Sequence, residues 1–336
     1  MTATAMHGLV LFMDADVHWL DRLIYSFNEN FAEWSFFSSP MQVRALLALV
    51  LVSVCSGAVG SLVVGGRMAF FSDALAHCAF AGVSLGFLLF ETLLAHYRPA
   101  GEFWSWVTPV MVVFGMAVGA GIAFVRTRSG LASDTVIGVF FAACIGLYAL
   151  LRNLILDRKL FDLEDFLFGN PLSASANELI GLLCLVVVTA VVLVCIYNHL
   201  LLTNFNPSLA RSRRIRVQLS NYIFVMLLAL IVNLCLRAVG VLLINALLIV
   251  PAATAANVSR NLRQLFWVTI ILCLVVSLTG LDISWELSAR YKVDIGIPGA
   301  IVLLSVVLFV VSLFVGPLLK NRRSAARPDR LAKTAG

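Results

Sequence analysis

The sequence predicts an all-α, polytopic helical membrane protein with about eight or nine transmembrane helices. Two observations predict this class. Charged residues make up only 12% of the 336 residues and hydrophobic residues make up 61%, whereas soluble proteins carry about 25% charged residues. Apolar runs of about 20 residues, the length that crosses a bilayer as a helix, also recur along the whole chain. These two observations exclude a soluble domain.

Nine segments are candidates for the spans, and together they form a transmembrane domain over residues 41–319. They are 42–65, 72–95, 107–125, 133–151, 178–202, 217–236, 239–256, 264–281 and 297–319. The segment 239–256 is only just long enough and carries Pro251 late in the run. A kinked or re-entrant helix is therefore an alternative to a full span there.

The two ends of the chain differ from this domain. Residues 1–40 form an N-terminal extension in which apolar and aromatic side chains recur every three or four residues, the pattern of an amphipathic helix at a membrane interface. A poorly ordered extension is the alternative. Residues 320–336 form a basic tail. With an outside N-terminus, 15 of the 24 Lys and Arg residues fall inside and 8 outside, which predicts a cytoplasmic C-terminus.

The second span carries an aspartate and a histidine, Asp73 and His77, on one helical face. Ionisable groups cost about 2.5–3.5 kcal/mol each at the centre of a membrane helix, so they tend to be kept for function. A carboxylate oxygen and an imidazole nitrogen are also part of a divalent-metal site. The alternative is that Ser72 or Asp73 caps the helix while His77 bonds to a neighbour. The topology places the pair near the inner end of its span, and the alternative is that the apolar turn 68–71 is itself sunk in the protein and lifts the pair toward the centre.

Small residues recur every four positions beside this pair, at Ala74, Cys78, Gly82 and Gly86. Such spacing lets membrane helices approach closely, so we expect the second span to be a central, close-packed helix.

Other polar residues are weaker candidates for a permeation path. Asp134 opens the fourth span, where capping of the helix N-terminus is favoured over pore lining. Asn245 and Thr254 lie in the seventh span, where either could line a pore, although an interhelical hydrogen bond is favoured for each. The basic loop 204–214 suits a short surface helix with Pro207 in its first turn. That helix would rest on lipid headgroups or dock on a cytoplasmic protein.

Motifs for enzymatic chemistry are missing from the sequence. It contains no GxxxxGK[ST] phosphate loop, no HExxH and no GxSxG. Nothing in the sequence supports a membrane enzyme, so the chain is not expected to be one, and it has no phosphate-binding loop of its own.

Five motifs in order resemble the integral-membrane permease subunit of bacterial zinc/manganese ABC importers, and the resemblance covers residues 41–319. They are Arg67-Met-Ala-Phe-Phe-Ser-Asp73-Ala-Leu-Ala-His77 with Gly82, Ser133-Asp134-Thr-x-Ile137-Gly138, Asp165-Phe-Leu-Phe-Gly169, Phe205-Asn-Pro-x-Leu-Ala210, and Val239-Gly240 through Pro251-Ala-Ala-Thr-Ala255.

The resemblance implies a function and its partners. Two permeases would form a homodimeric pathway in the bacterial inner membrane. Cytoplasmic ABC ATPase subunits would drive it, and an extracytoplasmic metal-binding protein would deliver the ion. The ion is cargo, and no stably bound cofactor is expected. Mixed oxygen and nitrogen ligation suits Zn²⁺ and Mn²⁺ alike; zinc is slightly favoured, with manganese or iron as alternatives.

The resemblance also implies roles for individual residues. Asp73 and His77 match the family's second-helix motif and become the best candidates for metal contact. The loop 204–214 becomes a helix coupled to the ATPase through Asn206, Pro207, Leu209 and Ala210. This loop departs from the family pattern, which has an acidic residue where Asn206 stands and a glycine where Arg214 or Ile215 stands.

The main rival is an ion-coupled secondary transporter that works alone. It predicts inverted internal repeats and further buried charges, and the sequence shows neither clearly.

Overall fold

The computed structural model describes residues 22, 24, 26, 28, 35–66, 68–89, 92, 103–154, 168–205, 217–292 and 296–325. In this part of the chain there is no strand, and nine helices are long and apolar enough to cross a membrane. They are α1 (Pro40–Gly65), α2 (Ala69–Leu89), α3 (Phe103–Ser129), α4 (Ser133–Leu154), α5 (Ala176–Phe205), α6 (Val217–Val239), α7 (Val241–Val258), α8 (Leu262–Tyr291) and α9 (Ile297–Ala325). The predicted polytopic helical class is confirmed.

Each predicted span corresponds to one of these helices, in the predicted order. The uncertain seventh segment forms α7, a continuous helix of 18 residues that contains Pro251. Its length, about 27 Å at 1.5 Å per residue, approaches the thickness of a hydrocarbon core. Short 3₁₀ turns at Ser35–Ser38 and Pro171–Ser173 precede α1 and α5.

The buried core lies mainly between α1, α2, α6 and α7, where Leu49, Leu75, Leu228 and Leu247 have no exposed surface. The outer helices α4, α5 and α9 instead expose large apolar side chains. Val139, Val194 and Phe314 are 63%, 84% and 71% exposed. In a bilayer these side chains would contact lipid tails, which are as apolar as they are.

Glycines set the closest helix contacts, as the small-residue spacing of the second span predicts. A Cβ on Gly82 would lie 3.2 Å from Met111 Cα, and one on Gly86 would lie 3.4 Å from Val107 Cα, so α2 packs directly on α3. Ala74 and Cys78, earlier in the same row, are buried. The expectation of a close-packed second helix is confirmed.

The corner between α6 and α7 is a second close contact, and it joins two of the sequence motifs. Gly240 has φ +85° and Gly169 has φ +64°, a region that L-residues with side chains rarely adopt. A Cβ on Gly240 would lie 2.6 Å from Gly169 N, and one on Gly169 would lie 2.5 Å from Gly240 N. The loop before α5 is therefore pressed against the backbone of the corner.

An ion pair at the end of α6 fixes the same corner. Arg237 Nε donates to Glu178 Oε1 at 2.6 Å, and Arg237 Nη1 donates to Thr108 Oγ1, so α6 is tied to both α5 and α3. Glu178 also accepts from the backbone N–H of Ser175 at 2.9 Å, while the Ser175 hydroxyl accepts from Glu178 N. This reciprocal pair is a capping box at the start of α5.

Several sequence predictions fall outside the described residues. The ATPase-coupling candidates Asn206, Pro207, Leu209 and Ala210 lie outside them, as do Asp165 and the tail beyond Ala325. Before Ser35 only four residues are described. One of them, Ile24, is buried against the core. The interfacial role of the N-terminal extension stays a prediction.

Candidate functional site

A groove of about 480 Å³ runs between α2 and α7. Its wall on α2 is formed by Asp73 and His77, and Phe168 closes one part of it. Its other wall is one face of α7, formed by Val241, Leu242, Asn245, Ala246, Ile249 and Val250. Among the described residues that line the groove, Asp73, His77 and Asn245 are the only polar ones.

Asp73 and Asn245 join the two walls of the groove. Asn245 Nδ2 donates to Asp73 Oδ1 at 2.8 Å, across 172 residues of sequence. Asn245 thus makes the interhelical hydrogen bond that the sequence favours, and it also lines the groove. A carboxylate accepting from an amide is satisfied on one oxygen and keeps its second oxygen for another partner.

The alternative role of Asp73 and Ser72 as helix caps is wrong. Helix α2 begins at Ala69, so both residues lie inside its first turns. The Ser72 hydroxyl donates back to the carbonyl of Ala69 at 3.1 Å instead of accepting from the helix N-terminus. Asp73 therefore does not cap the helix, and it lines the groove instead.

His77 is oriented by its own helix and by aromatic neighbours. Its Nδ1 lies 2.9 Å from the carbonyl oxygen of Asp73. A carbonyl can only accept, so Nδ1 is the donor, and in the neutral tautomer with this bond Nε2 has the lone pair. Metal-binding histidines commonly use this arrangement. The hydrogen bond of one ring nitrogen, here Nδ1, fixes the tautomer, and the other nitrogen, here Nε2, can bind the metal. The ring also packs edge-on against Phe80 and Phe141, with centroids 5.8 and 5.0 Å away.

The pair is accessible from the groove and carries negative charge. The side chains of Asp73 and His77 are 43% and 27% exposed, and Asp73 Oδ1 lies 3.5 Å from His77 Nδ1. The described residues that line the groove include no lysine or arginine. An arriving cation would therefore meet a carboxylate, an imidazole nitrogen and an amide in an otherwise apolar wall.

The groove lies near the middle of the apolar thickness, although Asp73 is only the fifth residue of α2. Cys273 Sγ donates to the carbonyl of Leu247 at 3.3 Å, which sets α7 and α8 in antiparallel register. Asn245 is then level with Val275, within about 4 Å of the midpoint of the uncharged stretch 264–281. Met68 and Phe71 at the start of α2 are buried, so this helix begins inside the bundle. The burial of this start agrees with the alternative in which the beginning of α2 is sunk in the protein and the pair is lifted toward the centre.

The other sequence candidates lie elsewhere. Asp134 is exposed in the first turn of α4 and does not line the groove. Thr254 donates to the carbonyl of Val250 in its own helix. In the described part of the chain, no three His, Cys, Asp or Glu side chains form a metal-binding cluster. Sequence reasoning missed Phe168 and Phe141, whose apolar surroundings gave no signal of their proximity to His77.

Comparison with known proteins agrees with this architecture. The Streptococcus parasanguinis manganese import system permease protein ScaB is 29% identical over 282 residues, which cover 84% of this chain and 93% of that protein. The Haemophilus influenzae high-affinity zinc uptake system membrane protein ZnuB is 30% identical over 271 residues, covering 80% and 95%. The solved structure of PsaBC from Streptococcus pneumoniae in complex with Fab has the same fold, with a TM-score of 0.67, 24% identity, and coverage of 88% of this chain and 98% of that chain.

A family model also matches most of the chain. The model of the ABC 3 transport family matches residues 38–316, which contain all nine transmembrane helices except the last residues of α9. The chain belongs to the ABC 3 transport family.

Proposed function

We propose that this chain is the permease of an ATP-driven importer for divalent transition metal ions. The observation that carries the proposal is the groove between α2 and α7, where Asp73, His77 and Asn245 meet near the middle of the bundle. The family and the named manganese and zinc permeases among its relatives support the same class of cargo. The chain is a transport subunit, and ATP hydrolysis belongs to a separate cytoplasmic ATPase.

The site chemistry suits transport better than storage. A closed structural zinc site uses four protein ligands, whereas the described residues bring together one carboxylate and one imidazole. Such a site selects by charge and ligand type and leaves the remaining positions to water or to another chain. Incomplete ligation favours release, which a pathway needs as much as capture.

A second copy of the permease is part of this proposal. Helix α4 lies beside the groove, where the ring of its Phe141 packs 5.0 Å from the ring of His77. On α4, Gly138 and Gly146 have no heavy atom within 4 Å of an added Cβ, and Ala142 between them is exposed. Small residues let membrane helices approach closely, so we infer that two copies meet beside the groove and enclose the pathway. An extracytoplasmic metal-binding protein would deliver the ion.

The cargo is stated as a class because one Asp and one His suit zinc, manganese and iron alike. The rival, an ion-coupled secondary transporter, would need a coupling site of its own. In the described part of the chain, Asp73 and His77 are the only ionisable side chains that line the groove, which leaves no second site there for a driving ion.

Uptake into sealed vesicles distinguishes the two mechanisms. The full chain is reconstituted with its ATPase and metal-binding protein, and uptake of Zn²⁺, Mn²⁺ and Fe²⁺ is measured with and without ATP. We expect uptake of at least one of these ions to require ATP and the ATPase, and to persist when ionophores collapse proton and sodium gradients. Uptake by the permease alone that follows an ion gradient would establish the secondary transporter instead.

A further inference from the structure

Asn245 has an unusual position for a residue that only joins two helices. Its Nδ2 donates to Asp73, but its Oδ1 is buried and has no hydrogen-bond partner in the structure. A buried acceptor without a partner is costly, and such an atom in a native structure needs an explanation. Asn245 Oδ1 is therefore an oxygen atom without a hydrogen-bond partner, beside the candidate metal site.

The orientation of the amide follows from its neighbour. A carboxylate oxygen accepts hydrogen bonds, so the NH₂ group of Asn245 must face Asp73 while the groove holds no cation. Asn245 Nδ2 now lies 2.8 Å from Asp73 Oδ1. With the amide reversed, the amide oxygen of Asn245 would face that carboxylate oxygen at about the same distance. A divalent ion removes this repulsion. Two oxygen ligands about 2.1 Å from an ion and at right angles to each other lie about 3.0 Å apart.

The reversed amide also has a place for its nitrogen. Asn233, in the neighbouring helix α6, donates from Nδ2 to the carbonyl of Ala229, four residues earlier, at 2.7 Å. Asn245 has a carbonyl in the same position of its own helix, at Val241. A rotation of the amide would therefore exchange one hydrogen-bond acceptor for another.

We propose that Asn245 is a third metal ligand that acts by rotation of its amide. In the empty groove its NH₂ holds Asp73, and in the loaded groove its carbonyl oxygen binds the ion together with Asp73 and His77. This inference rests on the proposed function. Two oxygens and one nitrogen form a harder ligand set than one of each, and oxygen ligands suit manganese. The rotation thus raises the affinity of the site for Mn²⁺ relative to Zn²⁺. This is opposite to the slight preference for zinc that the Asp73 and His77 pair alone suggests.

Three variants of the full chain separate ligation from simple helix joining. Asn245→Leu replaces the amide by an apolar side chain with the same branching and the same number of heavy atoms, and Asn245→Asp keeps an oxygen ligand but loses the donor. Asn257→Leu is the matched control, because Asn257 is another amide of α7 whose Nδ2 donates to Ser312 Oγ at 2.9 Å, away from the groove. Each purified variant in lipid nanodiscs is titrated with Mn²⁺, followed by electron paramagnetic resonance, and with Zn²⁺, followed by competition with a chromophoric chelator.

We expect Asn245→Leu to weaken Mn²⁺ binding by about tenfold or more and Zn²⁺ binding by much less. Asn245→Asp should bind Mn²⁺ clearly more tightly than Asn245→Leu, because it keeps an oxygen ligand, and Asn257→Leu should bind it as the unmodified chain does. Equal losses in the Leu and Asp variants of Asn245, or an unchanged ratio of Mn²⁺ to Zn²⁺ affinity in Asn245→Leu, would overturn this inference alone. Failure of the unmodified chain to bind either ion would overturn the proposed function, and this inference with it.

Discussion

Replacement of Asp73 or His77 by alanine should abolish metal uptake while the permease still folds and assembles with its ATPase. Among the described residues of the groove, Asp73 supplies the only carboxylate and His77 the only imidazole. Loss of an outer-shell partner of a metal ligand typically costs about 10–100-fold in affinity or activity, so removal of a ligand should cost at least as much. Uptake of Zn²⁺ and Mn²⁺ into vesicles measures the loss, and co-purification of the ATPase measures assembly.

The matched control is Asp134→Ala. Asp134 is also an aspartate near the start of a transmembrane helix, but it is exposed and lies away from the groove. Its replacement should leave uptake close to the unmodified level. If the Asp73→Ala and His77→Ala proteins import both ions at the unmodified rate, the groove is not the metal path.

The second large effect is expected from Gly240→Ala. An alanine at φ +85° is strained by about 1–3 kcal/mol. Its Cβ would also lie 2.6 Å from Gly169 N and 2.7 Å from the carbonyl carbon of Phe168. These are backbone atoms, so relief requires the loop before α5 to move, and overpacking of this kind costs about 1–3 kcal/mol more. We expect a clearly lower apparent melting temperature of the full chain in detergent, measured by fluorescence-detected size exclusion, and reduced uptake.

Gly181→Ala is the control for this change. Gly181 lies in α5, and an added Cβ there meets nothing within 4 Å. Its substitution should leave the melting temperature unchanged or slightly higher, because alanine favours helix over glycine by about 1 kcal/mol. Equal melting temperatures for the two variants would show that the Gly169 and Gly240 contact is not needed for stability.

The transmembrane helices could be predicted from the sequence because membrane insertion depends on local properties. Length and apolarity determine whether a segment such as α9 spans, and neither depends on distant residues. The helical face shared by Asp73 and His77 is also local, since both lie in one helix about one turn apart. Both predictions therefore needed only a short window of sequence.

The partners of these residues could not be predicted in the same way. Asn245 lies 172 residues from Asp73, and nothing in the spacing of either helix indicates that α2 and α7 are neighbours at that level. The contact between Gly169 and Gly240 is equally remote in sequence. The depth of Asp73 could not be settled from the sequence, because a span is counted from its adjoining loop, whereas α2 begins among buried residues such as Met68 and Phe71.

The most direct test of the metal path is an anomalous difference map of the full chain crystallised with its ATPase and either Zn²⁺ or Mn²⁺. With data collected at the edge of the added metal, we expect a peak in the groove between α2 and α7, within about 2.0–2.2 Å of an Asp73 oxygen or of His77 Nε2 for zinc. A bound-metal peak elsewhere along the pathway, with Asp73 and His77 unliganded and still hydrogen-bonded as in the empty groove, would contradict the assignment.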